Sequence, residues 1–332
     1  MRSAMVAVLL LAYLSAPLRA DEVKIDDATK KAATRALEWL KAKQDADGSW
    51  SEGGYPKNNA ITSFALLAFL SQGHLPDRGA YGQTIARGCK FLLGSAKRDG
   101  YLGGVGHGNM YCHAMSTLAL AELWGMSADE EIKPVLERAV DLIIRSQNGE
   151  GGWRYDPAPT GADISVTIMQ VMALRAAKNS GLHVPDDTLK KAIAYILKCY
   201  EPSSGGFRYM PGNREPGFAR TAAGVCVLQL SGQYDAQQIP KAVEFLKDNM
   251  EPREHFWYGH YYASHAMHQI GGKDWEDYYT RMRALLLKSQ VETGEWNTRS
   301  IVDGRTAGPV YQTSIAVIIL SIPAHYLPIF QR

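Results

Sequence analysis

Six times along the chain an apolar stretch is followed, after a few polar residues, by an aromatic, and the fullest copies carry a glutamine at the end of the apolar stretch and a glycine before the aromatic. The clearest copies are Trp39-Leu40…Gln44…Gly48-Ser49-Trp50, Leu142-Ile143…Gln147…Gly151-Gly152-Trp153 and Leu285-Leu286…Gln290…Gly294-Glu295-Trp296. Reduced copies are Phe91-Leu92…Gly100-Tyr101, Tyr195-Ile196…Gly205-Gly206-Phe207 and Phe245-Leu246…Phe256-Trp257. The closing aromatics fall at 50, 101, 153, 207, 257 and 296, so consecutive copies stand 51, 52, 54, 50 and 39 residues apart. A period near fifty marks a chain built from repeated supersecondary units that cannot bury their apolar faces alone.

Each unit reads as two helices. The segment before the phrase carries apolar residues at helical spacing, as in Ala139, Val140, Ile143 and Ile144, with charge on its other face. The segments after it, expected at Ala60–Leu70, Tyr111–Leu123, Asp163–Ala176, Arg220–Leu230, Tyr262–Ile270 and Thr313–Ile322, are almost uncharged. A helix apolar all round is a buried one. No stretch shows sustained period-two alternation. Six hairpins with charged helices outside and apolar helices inside are therefore expected to curve shut. An open array needs polar terminal caps, and neither terminal unit has that character.

The repeated phrase resembles the QW motif of the squalene/oxidosqualene cyclase and prenyltransferase repeat superfamily. That resemblance implies an all-α, (α/α)6 toroid over residues 21–332, of an exported, single-toroid kind. The phrase itself reads as structural. Glutamine at a helix end satisfies orphan backbone groups, glycine permits a reversal, and tryptophan seals adjacent hairpins.

Residues 1–20 read as a secretory signal. Arg2 gives a positive start, Ala4–Ala16 is uncharged and largely apolar, and Ala20 offers a small residue before Asp21. An apolar run that short does not span a bilayer, which takes ~20 residues. Localisation is thus expected to be periplasmic or extracellular, with a peripheral membrane contact left open. Without Arg2 and Arg19 the remaining chain carries 34 basic and 34 acidic residues, a balance that argues against nucleic acid as a partner. The four cysteines (Cys89, Cys112, Cys199, Cys226) are widely spaced and read as buried free thiols. Nothing in the sequence signals an oligomeric state.

Chemistry is expected where the inner helices begin, opening toward the ring's centre. Counting about ten residues past the phrase gives Asn59, Tyr111 and Asp163 in the first three units, and Arg220, Tyr261 and Tyr311 in the last three. His113 and His265 are expected close by. Asp163, Tyr111, His113 and His265 are the catalytic candidates. The others, with Arg154, Tyr155, Arg208 and Tyr209, are candidates for binding a small-molecule or lipid-like ligand. Asp163 and Asn59 also suit helix N-caps.

The resemblance supplies chemistries to test. Squalene–hopene-type cyclases use an Asp-x-Asp-Asp-Thr acid motif; the matching place here reads Asp163-Ile164-Ser165-Val166-Thr167, with the two later acids replaced. A lone Asp163 paired with Arg220 is expected to have a lowered pKa. Prenyltransferase β subunits hold zinc with Asp-x-Cys, and Asp163-x-Ser165 lacks the thiolate, so neither metal nor cofactor is expected. Two other classes stay open. An exported polysaccharide lyase or glycan binder would use the repeated Arg154-Tyr155 and Arg208-Tyr209 pairs, Arg on carboxylates and Tyr as proton donor. A non-catalytic interaction toroid is the third, without the Gly-Cys-Gly-Glu-Gln signature of the complement thioester domain.

Overall fold

The computed structural model describes residues 23–104, 109–127, 129–212, 215–304 and 306–331. The expected signal at 1–20 lies outside these residues. Twelve α-helices are found among the described residues, and no strand beyond two isolated bridges. The outer helices are α1 (Asp27–Ala42), α3 (Gly82–Ser95), α5 (Ile132–Arg145), α7 (Asp186–Lys198), α9 (Ile239–Asp248) and α11 (Gly272–Ser289). The inner ones are α2 (Asn59–Leu70), α4 (Met110–Ser127), α6 (Ile164–Asn179), α8 (Phe218–Leu230), α10 (Phe256–Ile270) and α12 (Pro309–Ser321).

The inner helices contact one another in chain order, and α12 returns to pack on α2. The outer layer closes too, because α1 packs against both α12 and α11. Burial follows the amphipathic pattern. In α5, Leu136, Ala139, Val140 and Ile143 are buried while the charged face is exposed, whereas α2 is buried at every position but Ala60. All four cysteines are buried and free.

The repeated phrase is a joint between neighbouring hairpins. Gln147 Nε2 donates to Gly151 O within its own turn (2.8 Å) and to Thr188 O on the next outer helix (2.9 Å). Gln44 does the same to Gly48 O and Thr84 O, and Gln290 to Gly294 O and Ala32 O. The last pair bridges α11 to α1 and so fastens the ring. The buried indoles of Trp50, Trp153 and Trp296 each donate to the preceding outer helix, at the carbonyls of Leu40, Ile143 and Leu286. Their backbone amides donate to the hydroxyls of Thr62, Thr167 and Thr313 on the following inner helix. Gly294 has φ +109° and lies against α1, so that a Cβ there would meet Arg35 O at 2.6 Å. Only glycine allows so close an approach in that conformation.

Two copies depart from the expected register. In the second, the amide in the tryptophan's place belongs to Leu102 rather than Tyr101, and its acceptor is His113 Nδ1 (3.0 Å) in place of a threonine. In the fifth, Phe256 and Trp257 are not loop residues. They open α10, which begins six residues before the expected Tyr262. That copy lacks the glycine, and a groove of about 540 Å³ opens at its joint, lined by Leu246, Met250, Met267 and Tyr278.

Candidate functional site at the inner-helix rim

In three of the joints, the residue two places past the tryptophan or its substitute reaches the start of an inner helix on the preceding hairpin. The Tyr155 carbonyl accepts from Met110 N at the start of α4 (3.0 Å), and the Tyr209 carbonyl from Ile164 N at the start of α6 (3.0 Å). In the first copy, Glu52 does this with its side chain, Oε2 accepting from Val310 N of α12 (2.6 Å). Helix N-termini present unpaired N–H groups, and these loops answer those of α4, α6 and α12. The same contacts bring the side chains of Tyr155 and Tyr209 together, with their hydroxyls 2.6 Å apart. Tyr111 stands beside Tyr155 with ring centroids 6.0 Å apart.

Asp163 is the N-cap of α6. It adopts an extended backbone (φ −139°, ψ 158°), and its Oδ1 accepts from Val166 N (3.0 Å). Its side chain is fully buried, and Oδ2 has no hydrogen-bond partner. Burial raises the carboxyl pKa above the ordinary value, opposed by the Val166 amide, the nearby Tyr209 hydroxyl and the Arg154 charge. The expected pairing with Arg220 and the lowered pKa are thus both corrected. The cation acting on Asp163 is Arg154, and Arg220 donates to the Glu215 carbonyl (3.0 Å).

Below the rim lies a descending stack of aromatics. Tyr311 meets Phe64 edge-on at 5.1 Å, Phe64 meets Tyr261 at 5.6 Å, and Tyr261 meets Tyr262 at 5.0 Å. Tyr258, 4.9 Å from Tyr262, feels the Asp163 charge. Burial pushes the hydroxyls of Tyr111, Tyr258 and Tyr311 well up, yet each residue is only partly buried. Groups enclosed by protein but still reached by solvent line a concavity. Tyr261 and Tyr262, by contrast, are fully buried and form its floor. The partly exposed Tyr111, Tyr258 and Tyr311 over the buried Tyr261 and Tyr262 make a shallow aromatic cup at the rim.

Several expected site residues lie elsewhere. His113 is held by Leu102 N and by Ala139 O (3.2 Å), fully buried, and burial lowers its pKa to about 4. It is a joint residue away from the cup. Asn59 donates to Ser95 Oγ and Leu102 O, and the N-cap of α2 is its neighbour Asn58. Arg208 pairs with Glu201 (3.6 Å) outside the cup. His265 sits at the opposite end of the ring, stacked on Phe330. Tyr261 belongs to the floor because α10 starts early. Asp163, Tyr111, Tyr155, Tyr209, Tyr311 and Arg154 remain together at the rim.

Sequence reasoning overlooked Glu52 and Tyr258 as site residues. Glu52 was signalled by its place two past Trp50, the same offset as Tyr155 from Trp153. Its carboxyl pKa is raised, chiefly by burial. The residues present do not suit a zinc site like that of prenyltransferase β subunits. Cys112 Sγ faces Asn58 Oδ1 (3.7 Å), both histidines are placed elsewhere, and no metal-competent group of His, Cys, Asp and Glu occurs among the described residues. No described helix is long and apolar enough to cross a membrane.

The sequence profile of the prenyltransferase alpha-alpha toroid domain matches residues 9–161 and 162–275. Among curated proteins, lanosterol synthase erg7A of Aspergillus fumigatus is 29% identical over 144 residues, covering 41% of this chain and 18% of that protein. Drimenyl diphosphate synthase of Streptomyces showdoensis is 26% identical over 194 residues, covering 57% and 34%. The chain thus spans about a third or less of these relatives' lengths. Among solved structures, an alpha-1,6-mannanase of a Salegentibacter species superposes with a TM-score of 0.69 at 10% identity, covering 90% of this chain and 99% of that one. The type II terpene cyclase MstE from Scytonema gives 0.64 at 13%, with 90% and 99% covered. At these identities the superpositions establish the fold alone.

Proposed function

Because the chain belongs to the prenyltransferase alpha-alpha toroid domain family, we propose that it binds an apolar, isoprenoid-like molecule in the aromatic cup. Asp163 and its neighbouring tyrosines take the polar end of that molecule. The observation that carries this reading is the Asp163 carboxyl, buried at the rim with its Oδ2 left unpaired beside the Tyr209 hydroxyl. A buried polar atom left unpaired is costly, and one at the edge of a cup is completed by a ligand. Burial favours the neutral carboxyl, which donates a hydrogen bond where a carboxylate only accepts. The tyrosine faces below it suit both an apolar chain and a positive charge developing along it.

Proton transfer to an alkene is less well supported. Asp163 lacks the second and third acids of the cyclase pattern, and Thr167, which matches that pattern's last residue, accepts from Trp153 N in the joint. The role that fits Asp163 best is to anchor and orient the ligand. The carbohydrate reading draws on the mannanase-like fold and the paired Arg-Tyr sequences. It is weakened because Arg208 is held by Glu201, and Arg154 leans over the Tyr155 ring at 5.2 Å.

The test is calorimetric titration of geraniol, farnesol and geranylgeraniol into wild type and Asp163→Ser. Serine caps a helix as well as aspartate does but has a single side-chain oxygen, so the variant is expected to fold normally and to leave the ligand's polar end without its partner. It is expected to bind the alcohols about tenfold more weakly, the equivalent of one good hydrogen bond. Equal affinities in the two proteins would remove Asp163 from the site. No binding of any alcohol to wild type would end the isoprenoid reading.

A further inference from the structure

After α12 the chain does not leave the ring. It makes two short 3-10 turns, Ile322–Ala324 and Pro328–Phe330, and the second packs beneath α4 and α6, across the end of the ring away from the rim. Ile329 and Phe330 are buried there. The ring receives this segment much as it would a bound peptide. Glu122 Oε2 of α4 accepts from Ile329 N (3.5 Å), and Gln269 Nε2 of α10 donates to Phe330 O (2.7 Å). The Phe330 ring lies flat on the His265 imidazole, with centroids 3.3 Å apart and planes within 6°. It also stands 6.4 Å from Tyr261, the floor of the cup.

The fit is imperfect in one respect. Both His265 ring nitrogens are buried without a hydrogen-bond partner. Beside them is a cavity of about 20 Å³, lined by Ser71, His265, Ser321, His325 and Phe330, with room for about one water. One aromatic line therefore runs through the ring, from Tyr311 through Phe64 and Tyr261 to His265 and Phe330. Its far end lies outside the inner helices. Phe330 sits on the short segment that follows α12, whereas every other member of the line belongs to an inner helix.

We infer that residues 322–331 plug the far mouth of the ring and that Phe330 is a specificity-determining residue, setting how long an apolar chain the cup admits. This rests on the isoprenoid reading of the cup. A chain entering from the rim displaces the Tyr261 ring downward, and Phe330 is what that ring meets. A smaller residue at 330 gives Tyr261 space to yield and deepens the cup, and a longer ligand gains from that depth while a short one does not.

The test is the same calorimetry with Phe330→Ala and Phe330→Leu, using geraniol, farnesol and geranylgeraniol as the graded series. The ratio of geranylgeraniol to geraniol affinity is expected to rise about tenfold or more in Phe330→Ala, given what even one methylene is worth in an apolar pocket. Phe330→Leu should rise less, and it keeps the question answerable if the alanine variant does not fold. Alcohols that bind with an unchanged length ranking in the folded variants would overturn this inference and leave the isoprenoid reading standing. Failure of all three alcohols to bind wild type would overturn both.

Discussion

Glu122 is a carboxyl placed where water does not reach. It is 1% exposed, deep in α4, and burial pushes its pKa up to about 8, with the Ile329 amide as the one opposing influence. Replacing it with glutamine keeps the shape and removes the titration. In the unfolded chain this glutamate ionises near 4.5, the ordinary value. Between there and about 8 the folded protein keeps a proton that the unfolded chain has lost, so stability falls as pH rises. At about 1.4 kcal/mol per pH unit the full window amounts to about 4–5 kcal/mol, an upper bound because water entering under the plug would relieve part of it. Urea unfolding of wild type and Glu122→Gln, from about pH 4 to about pH 9, reads this directly. The two proteins are expected to converge at the acid end. The glutamine variant should gain through the window and hold a constant advantage above about pH 8. Parallel curves would show that Glu122 is ionised and hydrated in the folded protein, and the buried-acid argument would fail. A glutamine variant that loses ground as pH rises would show that the sign is wrong.

Gly294→Ala, at φ +109° with Arg35 O 2.6 Å from the added carbon, is expected to lose about 2–4 kcal/mol by urea unfolding. Gly149→Ala, with open space around it, serves as the neutral control. His113→Ala removes the acceptor of the Leu102 amide and opens a hole in a full core, a loss of about 2–4 kcal/mol at neutral pH. Because burial holds His113 neutral down to about 4, wild type loses stability as pH falls from its ordinary 6.5 toward that value. The alanine variant is expected to lose less over that range, which melts at graded pH would show.

The architecture was legible in the sequence because the joint repeats. Gln, Gly and Trp recur together, since each makes a backbone contact that side chains of other kinds do not reproduce at that spacing. The same logic shows where the reading slipped. In the second copy histidine does threonine's work at His113, so a joint residue looked like a candidate base. In the fifth copy no glycine is present, and the aromatics at 256 and 257, which the repeat places in a loop, begin a helix. That shift carried Tyr261 from the rim to the floor. The rim was only half legible. Asp163 is visible as a capping residue, but Glu52 and Tyr258 matter through neighbours on other hairpins, and no local pattern records which hairpin lies beside which. The plug was invisible for a similar reason. Pro328-Ile329-Phe330 has no helical signal, and its burial depends on Glu122 and Gln269, 207 and 61 residues away in sequence.

The Gln290 bridge to Ala32 and the seat of Gly294 on Arg35 give this molecule a circuit with no loose end. Linear stacks of helical pairs can peel from a terminus one unit at a time, each step losing a single neighbour. Here every hairpin has two neighbours, and removing any one strips both. Melting should therefore proceed as one event, with partly opened rings too scarce to be trapped. The aromatic cup would then exist wholly or not at all.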